Sequence, residues 1–327
     1  MRCGWALLCL LATGLLAFQA TGAIAASAHC KLIKLAEFPV TLNRGRAVIT
    51  AKVNGVDARL IVDTGAFFNM LLPDSLPKFG LAAGPAPVGY GVEGATGDAS
   101  IRIATADHFT IMGFTLSPVD FLVPEHGDVA GTDGMIGENL FSLADAEFDL
   151  ANGVIRLFRA QGCAKVSLAY WAKDAFSQID IDRIEKPDYK ILGRASVNGH
   201  PIRVIFDTGA GASTLITQAA TAAGVSLGGT TGQSVHEGGG IGRAKVKTVV
   251  AQIGDFTIGD EDIRNTSLRV GDYDFDNADM LIGLDFFMSH RVFVSNSQGK
   301  LYFTYNGGPV FKLHDDAEAP TSPPKTP

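Results

Sequence analysis

Charged side chains make up only 19% of the 327 residues, and no Lys/Arg cluster occurs anywhere, which removes the electrostatic footprint of a nucleic-acid binder. The formal net charge is −7. The seven histidines show no H-E-x-x-H or other ligand spacing, so no metal centre is expected, and the absence of G-x-S-x-G excludes the serine nucleophile elbow. Cysteine is scarce at four, and neither Cys30 nor Cys163 reads as a catalytic nucleophile. The longest apolar run, residues 5–18, is shorter than the roughly 20 residues that span a bilayer.

That run follows Arg2 and ends near Ala23-Ile24-Ala25, an A-x-A cleavage pattern, so residues 1–26 read as a signal peptide, with an uncleaved anchor as the alternative. The protein is then exported, periplasmic or secreted, with no membrane span after processing. Cys3 and Cys9 leave with the leader. Cys30 and Cys163 remain as an even pair in an oxidising compartment, where a disulfide is the natural reading and two buried free thiols the alternative.

Glycine is abundant at 38, and short Val-, Ile- and Phe-rich runs alternate with turn signals. Asn-Gly at positions 54, 152 and 198 marks hairpins. The coarse structure is therefore all-β, with helix confined to pieces such as the alanine-rich residues 218–225. The length suits two domains with cores of their own better than one large one.

The chain also contains itself twice. Val53-Asn54-Gly55 precedes Leu60-Ile61-Val62-Asp63-Thr64-Gly65-Ala66, and Val197-Asn198-Gly199 precedes Val204-Ile205-Phe206-Asp207-Thr208-Gly209-Ala210, at a constant distance of 144 residues (63 to 207). Glu93-Gly94 returns as Glu237-Gly238, Met135-Ile136-Gly137 as Leu281-Ile282-Gly283, and residues 148–158 as residues 293–303. The expected organisation is a first lobe over residues 30–163, a connector over 164–177 containing Trp171, a second lobe over 178–312 and a disordered tail over 313–327.

Asp-Thr-Gly twice at matched positions, each with a downstream apolar-apolar-Gly, is the pattern that carries chemistry. An apolar strand buries the approach to each carboxylate, and the following Gly is expected to accept unusual φ/ψ in a tight turn. If a pseudo-twofold axis brings the turns together, two carboxylates within hydrogen-bonding distance cannot both ionise cheaply. One then acts as base on a shared water while the other polarises a carbonyl.

In these motifs the sequence resembles the aspartic protease superfamily, and most of all a retropepsin-like unit duplicated and fused into one chain. The resemblance implies two retropepsin- or pepsin-like lobes around a cleft, with Asp63 and Asp207 as the catalytic dyad. It implies Thr64 and Thr208 as a crossed hydrogen-bonding pair, with Gly65, Ala66, Gly209 and Ala210 completing the active loops. No cofactor is implied. The partner is a peptide or protein substrate, and the molecule is a monomer that forms a pseudo-dimer within itself. Flap candidates lie in both halves, at Tyr90, Gly91, Glu93 and Gly94 and at Glu237 and Gly238. Phe67, Phe68 and Ser213 fall near subsites, one side bulky and the other open, although the phenylalanines could equally fill the first lobe's core. Ala66 and Ala210 stand where pepsin-like enzymes often carry a hydroxyl, which points to activity at mildly rather than strongly acidic pH. The rival reading is a catalytically inactive bilobal peptide-binding protein of the periplasm.

Two further patterns are discounted. Residues 89–94 match G-x-G-x-x-G formally, but no amphipathic helix follows. Asp272, Asp274, Asp276 and Asp279 resemble the start of a calcium loop, yet its sixth and twelfth positions are Asn277 and Gly283.

Overall fold

Asn54-Gly55 and Asn198-Gly199 take positive φ at both residues (48° and 82°, 49° and 75°), the twist that a two-residue hairpin needs. Each asparagine does more than turn the chain. The Asn54 Oδ1 accepts from the His108 amide, and the Asn198 Oδ1 accepts from the amides of Gly254 and Asp255, so each hairpin tip is pinned to a neighbouring loop. The third pair behaves differently. Asn152 closes a short 3₁₀ turn, Leu150–Asn152, and Gly153 ends it at φ 67°, so the hairpin there is longer than two residues.

These observations come from a computed structural model, which describes residues 29–87, 91–94, 97–125, 131–172, 175–182, 190–227, 236–238 and 245–311. The leader (1–26), the tail (313–327) and Tyr90 lie outside the described residues.

The protein is all-β and two-lobed. In the first lobe a ten-stranded sheet places Val56–Val62 between its hairpin partner Arg46–Val53 and Gly134–Ile136, which runs parallel to it. In the second lobe a seven-stranded sheet does the same with His200–Phe206 between Leu192–Val197 and the parallel Met280–Ile282. The downstream apolar-apolar-Gly motif is thus the strand beside the one that ends in Asp. The alanine-rich segment forms the helix Thr217–Ala222, close to expectation.

A third sheet joins the halves. Its six strands run Lys31–Pro39, Val154–Gln161, Asp145–Asp149, His290–Ser295, Lys300–Tyr305 and Ser177–Asp180, three from each half. The repeated 148–158 and 293–303 segments meet at its centre, where Phe148 pairs with Val292 and Glu147 with Phe293. The most extensive buried apolar cluster consequently draws on both lobes, with smaller clusters beside it. Phe141, Phe148, Phe287 and Phe206 contact one another in series at 5.6, 5.6 and 6.4 Å between ring centroids, carrying apolar packing from one lobe into the other.

Two further ties hold this sheet. Cys30 and Cys163 form a disulfide, excluding the free-thiol alternative, and join the first strand to the end of its neighbour. Glu147, with no exposure, receives Arg156 and also Arg291 from the other half at 2.9 Å. Arg291 in turn lies over Trp171 of the connector, 4.7 Å from its ring centroid. No described helix is long and apolar enough to cross a membrane.

Candidate active site

Asp63 and Asp207 each follow the last residue of a central strand, and each amide donates to the strand alongside, Asp63 to Ile136 O at 3.0 Å and Asp207 to Ile282 O at 2.8 Å. The chain then turns back across those neighbouring strands. At Gly137 a Cβ would stand 2.8 Å from Ala66 O, and at Gly283 one would stand 2.9 Å from Ala210 O. The repeated glycine of the apolar-apolar-Gly motif is therefore required by backbone crossing beneath the active loop.

The loops meet head to head. The Thr64 amide donates to Thr208 Oγ1 at 3.2 Å and the Thr208 amide to Thr64 Oγ1 at 3.0 Å. Each hydroxyl donates onward, Thr64 to Phe206 O and Thr208 to Val62 O, both at 2.8 Å. Both threonines are fully buried. Four buried backbone groups are satisfied by two side chains, each reaching into the opposite lobe. Losing either hydroxyl would strand two of those groups, at roughly 1 to 3 kcal/mol each.

Gly65 and Gly209 correct one expectation. Neither has a positive φ. A Cβ at Gly65 would lie 2.5 Å from Oδ2 of Asp207, and one at Gly209 would lie 2.5 Å from Oδ2 of Asp63. The glycines are needed because each loop packs against the other loop's carboxyl, where a methyl group has no room.

The carboxyls lie within hydrogen-bonding reach of each other. The amides of Gly65 and Ala66 donate to Asp63 Oδ1 at 3.0 Å, and the Gly209 amide donates to Asp207 Oδ1 at 2.7 Å. Burial, followed by the negative charge of Asp207, pushes Asp63 well above the usual carboxylate range. Burial also raises Asp207, but the bond from Asp63, the amides of Gly209 and Ala210 and the charge of Arg46 all act against it. Both carboxyls are thus raised by burial, and the charge of Arg46 bears on Asp207, an asymmetry invisible in two identical tripeptides.

The remaining candidates separate. Phe67 and Phe68 are not core residues: Phe68 is 38% exposed, and Lys190 Nζ sits 5.6 Å from the Phe67 ring centroid. The opposite position, Gly211, is not open, because the Arg46 guanidinium occupies the space a side chain there would take. Gly91 is exposed, and Val92–Gly94 pairs with Gly97–Ala99 as a short hairpin containing Glu93 and Gly94. Glu237 and Gly238 lie on the strand His236–Gly238, paired with the start of Val246–Ile258.

Ser213 is 1% exposed and faces inward. Its hydroxyl donates to Asp285 at 2.6 Å and accepts from the Gly283 amide at 2.9 Å, so it braces the Asp207 loop rather than lining a surface. Asn69 occupies the matching place in the first lobe and accepts from the Gly137 amide at 3.1 Å. Sequence reasoning missed Asp285 and Arg46. The 144-residue repeat could have flagged Arg46, since it aligns with Lys190, whereas nothing in the sequence marks Asp285 as buried.

Burial pushes the Asp285 carboxyl up to about 6, against the hydrogen bonds from Ser213 and the Phe286 amide and the charge of Arg269. An unfolded aspartate titrates near 4. Between about pH 4 and 6 the folded state keeps a proton that the unfolded chain has released, so this group makes stability fall as pH rises through that window and level off above it. Asp285→Asn, which copies Asn139 of the first lobe, should flatten the fall in urea-unfolding free energy from pH 4 to 6. An unchanged slope would remove Asp285 from the account.

Residues 49–140 match the family described as aspartyl protease, and residues 193–289 match the one described as gag-polyprotein putative aspartyl protease. No curated protein matches the chain. Among solved structures it is similar to the aspartic proteinase from Irpex lacteus, at 15% identity and a TM-score of 0.49, over 82% of this chain and 96% of that one. With one aspartyl protease match in each lobe, the chain belongs to the aspartic protease superfamily. Within it, this is a bilobal, single-chain form whose class is that of aspartic-type hydrolases.

Proposed function

We propose that the protein is an endopeptidase that hydrolyses extended peptides or exposed protein segments, with Asp63 and Asp207 activating one water molecule. The observation that carries the reading is the hydrogen-bonded carboxyl pair in unequal surroundings. Ionised Asp207 takes a proton from water as its oxygen attacks the scissile carbonyl carbon, and protonated Asp63 donates to the carbonyl oxygen. The resulting tetrahedral diol collapses as the C–N bond breaks and a proton passes to the leaving amine. No covalent enzyme intermediate forms, and no cofactor takes part.

Phe67 and Phe68 supply an apolar wall on one side of the dyad, and the paired strands Val92–Gly94 and Gly97–Ala99 serve as a lid. With alanine at 66 and 210, the dyad has amide donors but no hydroxyl donors there, which favours a mildly acidic optimum. The protein acts after export, as a monomer, and the Cys30–Cys163 bridge supports an oxidising destination.

The test is incubation of the purified mature chain with a mixed peptide library across pH 3 to 7, with and without a statine-type inhibitor. Internal cleavage that the inhibitor abolishes is expected. Binding without cleavage at any pH would replace this reading with that of an inactive peptide-binding protein.

A further inference from the structure

The 144-residue repeat relates two cations as well as two acids. Arg46 begins the strand Arg46–Val53, and Lys190 lies just before Leu192–Val197, at the same offset. Each reaches across to the active loop of the other lobe, four residues beyond its aspartate. Arg46 Nη1 lies 2.6 Å from where a Cβ of Gly211 would stand, and Lys190 Nζ lies over the ring of Phe67. Asp63 and Phe67, like Asp207 and Gly211, are four positions apart, so the crossings are reciprocal.

Their chemistry is unequal. Lys190 forms an ion pair with Asp276 at 3.2 Å, and the aromatic ring of Phe67 stands between it and the loop backbone. Among the described residues no acid forms an ion pair with Arg46. Gly211 has no side chain to hold the guanidinium away, so its charge lies directly against the loop that carries Asp207. The groups facing Asp207 are Asp63 from the first loop, the amides of Gly209 and Ala210 from its own, and Arg46 from the first lobe's edge. Those facing Asp63 are Asp207 and the amides of Gly65 and Ala66.

We infer that Arg46 is a positioning residue that makes Asp207 the ionised member of the pair, its fixed cation breaking the symmetry between two otherwise equivalent acids. The inference rests on the proposed dyad mechanism, and it assigns the base and acid roles to different lobes. Two identical acids in a symmetric site share the proton equally, and a bias equivalent to one pH unit places it tenfold in favour of one. An opposite charge set against the loop that carries one of the two acids biases the pair toward ionising that acid.

The test compares the unaltered chain with Arg46→Gln, Arg46→Met, Arg46→Lys and Lys190→Gln. Two readouts are used: the pH profile of kcat/KM on a cleaved peptide, and a carboxyl titration of carbon-13-labelled aspartate, which needs no turnover. Without the cation the anion is less stabilised, so the acid limb and the pair's first ionisation should move up by about one pH unit in both neutral variants. Arg46→Lys should restore most of the original position, and Lys190→Gln should leave it unmoved. The inference is overturned if a folded neutral variant keeps the original limb, if Arg46→Lys shifts as far as Arg46→Gln, or if Lys190→Gln shifts equally. A protein that cleaves no peptide would sink the proposed function, while the titration would still judge Arg46.

Discussion

Asp207→Asn and Asp63→Asn should each lower kcat/KM by about a thousandfold or more while leaving the protein at least as stable as before. The loss follows from the division of labour: without Asp207 no base accepts the water proton, and without Asp63 no acid polarises the carbonyl, each role being worth roughly 10² to 10⁴. The stability expectation follows from the sign of the shifts. Both carboxyls are raised by burial, so at neutral pH the folded state holds the pair at a cost the unfolded chain does not bear. An asparagine at either place is neutral and still able to hydrogen-bond across the pair, so thermal midpoints near pH 7 should hold or rise. Peptide turnover and a thermal melt on each variant decide the matter. Activity within tenfold of the unaltered chain would exclude the dyad.

Gly209→Ala should be nearly as damaging to turnover. The new methyl carbon would stand 2.5 Å from Asp63 Oδ2, closer than any non-bonded carbon and oxygen can approach, and the obstacle belongs to the reacting group itself. Asp63 must swing away, or the loop must retreat by about 1 Å, and misplacement on that scale costs on the order of a hundredfold in rate. The threonine grip opposes retreat, because Thr208 is tied to Val62 and Thr64 within the same turn. Gly65→Ala should do the same to Asp207 from the other side. Because the defect is one of geometry and not of charge, the carboxyl titration should lose its coupled two-step form along with the activity. An alanine variant at 209 that retains full turnover would mean that the two loops do not pack as described.

Much of this was readable along the chain. The Asp-Thr-Gly repeats, the Asn-Gly hairpins at 54 and 198, the apolar strands before each aspartate and the cysteine pair are local patterns, and each survives in the fold. Ser213 was misjudged because a small polar residue two positions from a presumed subsite looks alike whether it faces solvent or a buried Asp285. Gly65 and Gly209 were given a conformational reason, since a glycine after a threonine looks like a turn residue, while the carboxyl each must avoid lies 142 and 146 residues away, respectively, in the other lobe.

By itself the sequence determined which residues end buried strands, that the arrangement occurs twice, and hence which two acids could meet. Hydrophobic alternation and turn chemistry act within a few residues, and they are written in order. Only the tertiary structure decided that the halves share a sheet, that each glycine faces the opposite carboxyl, and that Arg46 lies alongside the loop of Asp207. Those outcomes depend on fields and contacts between chain segments that become neighbours only when the lobes close.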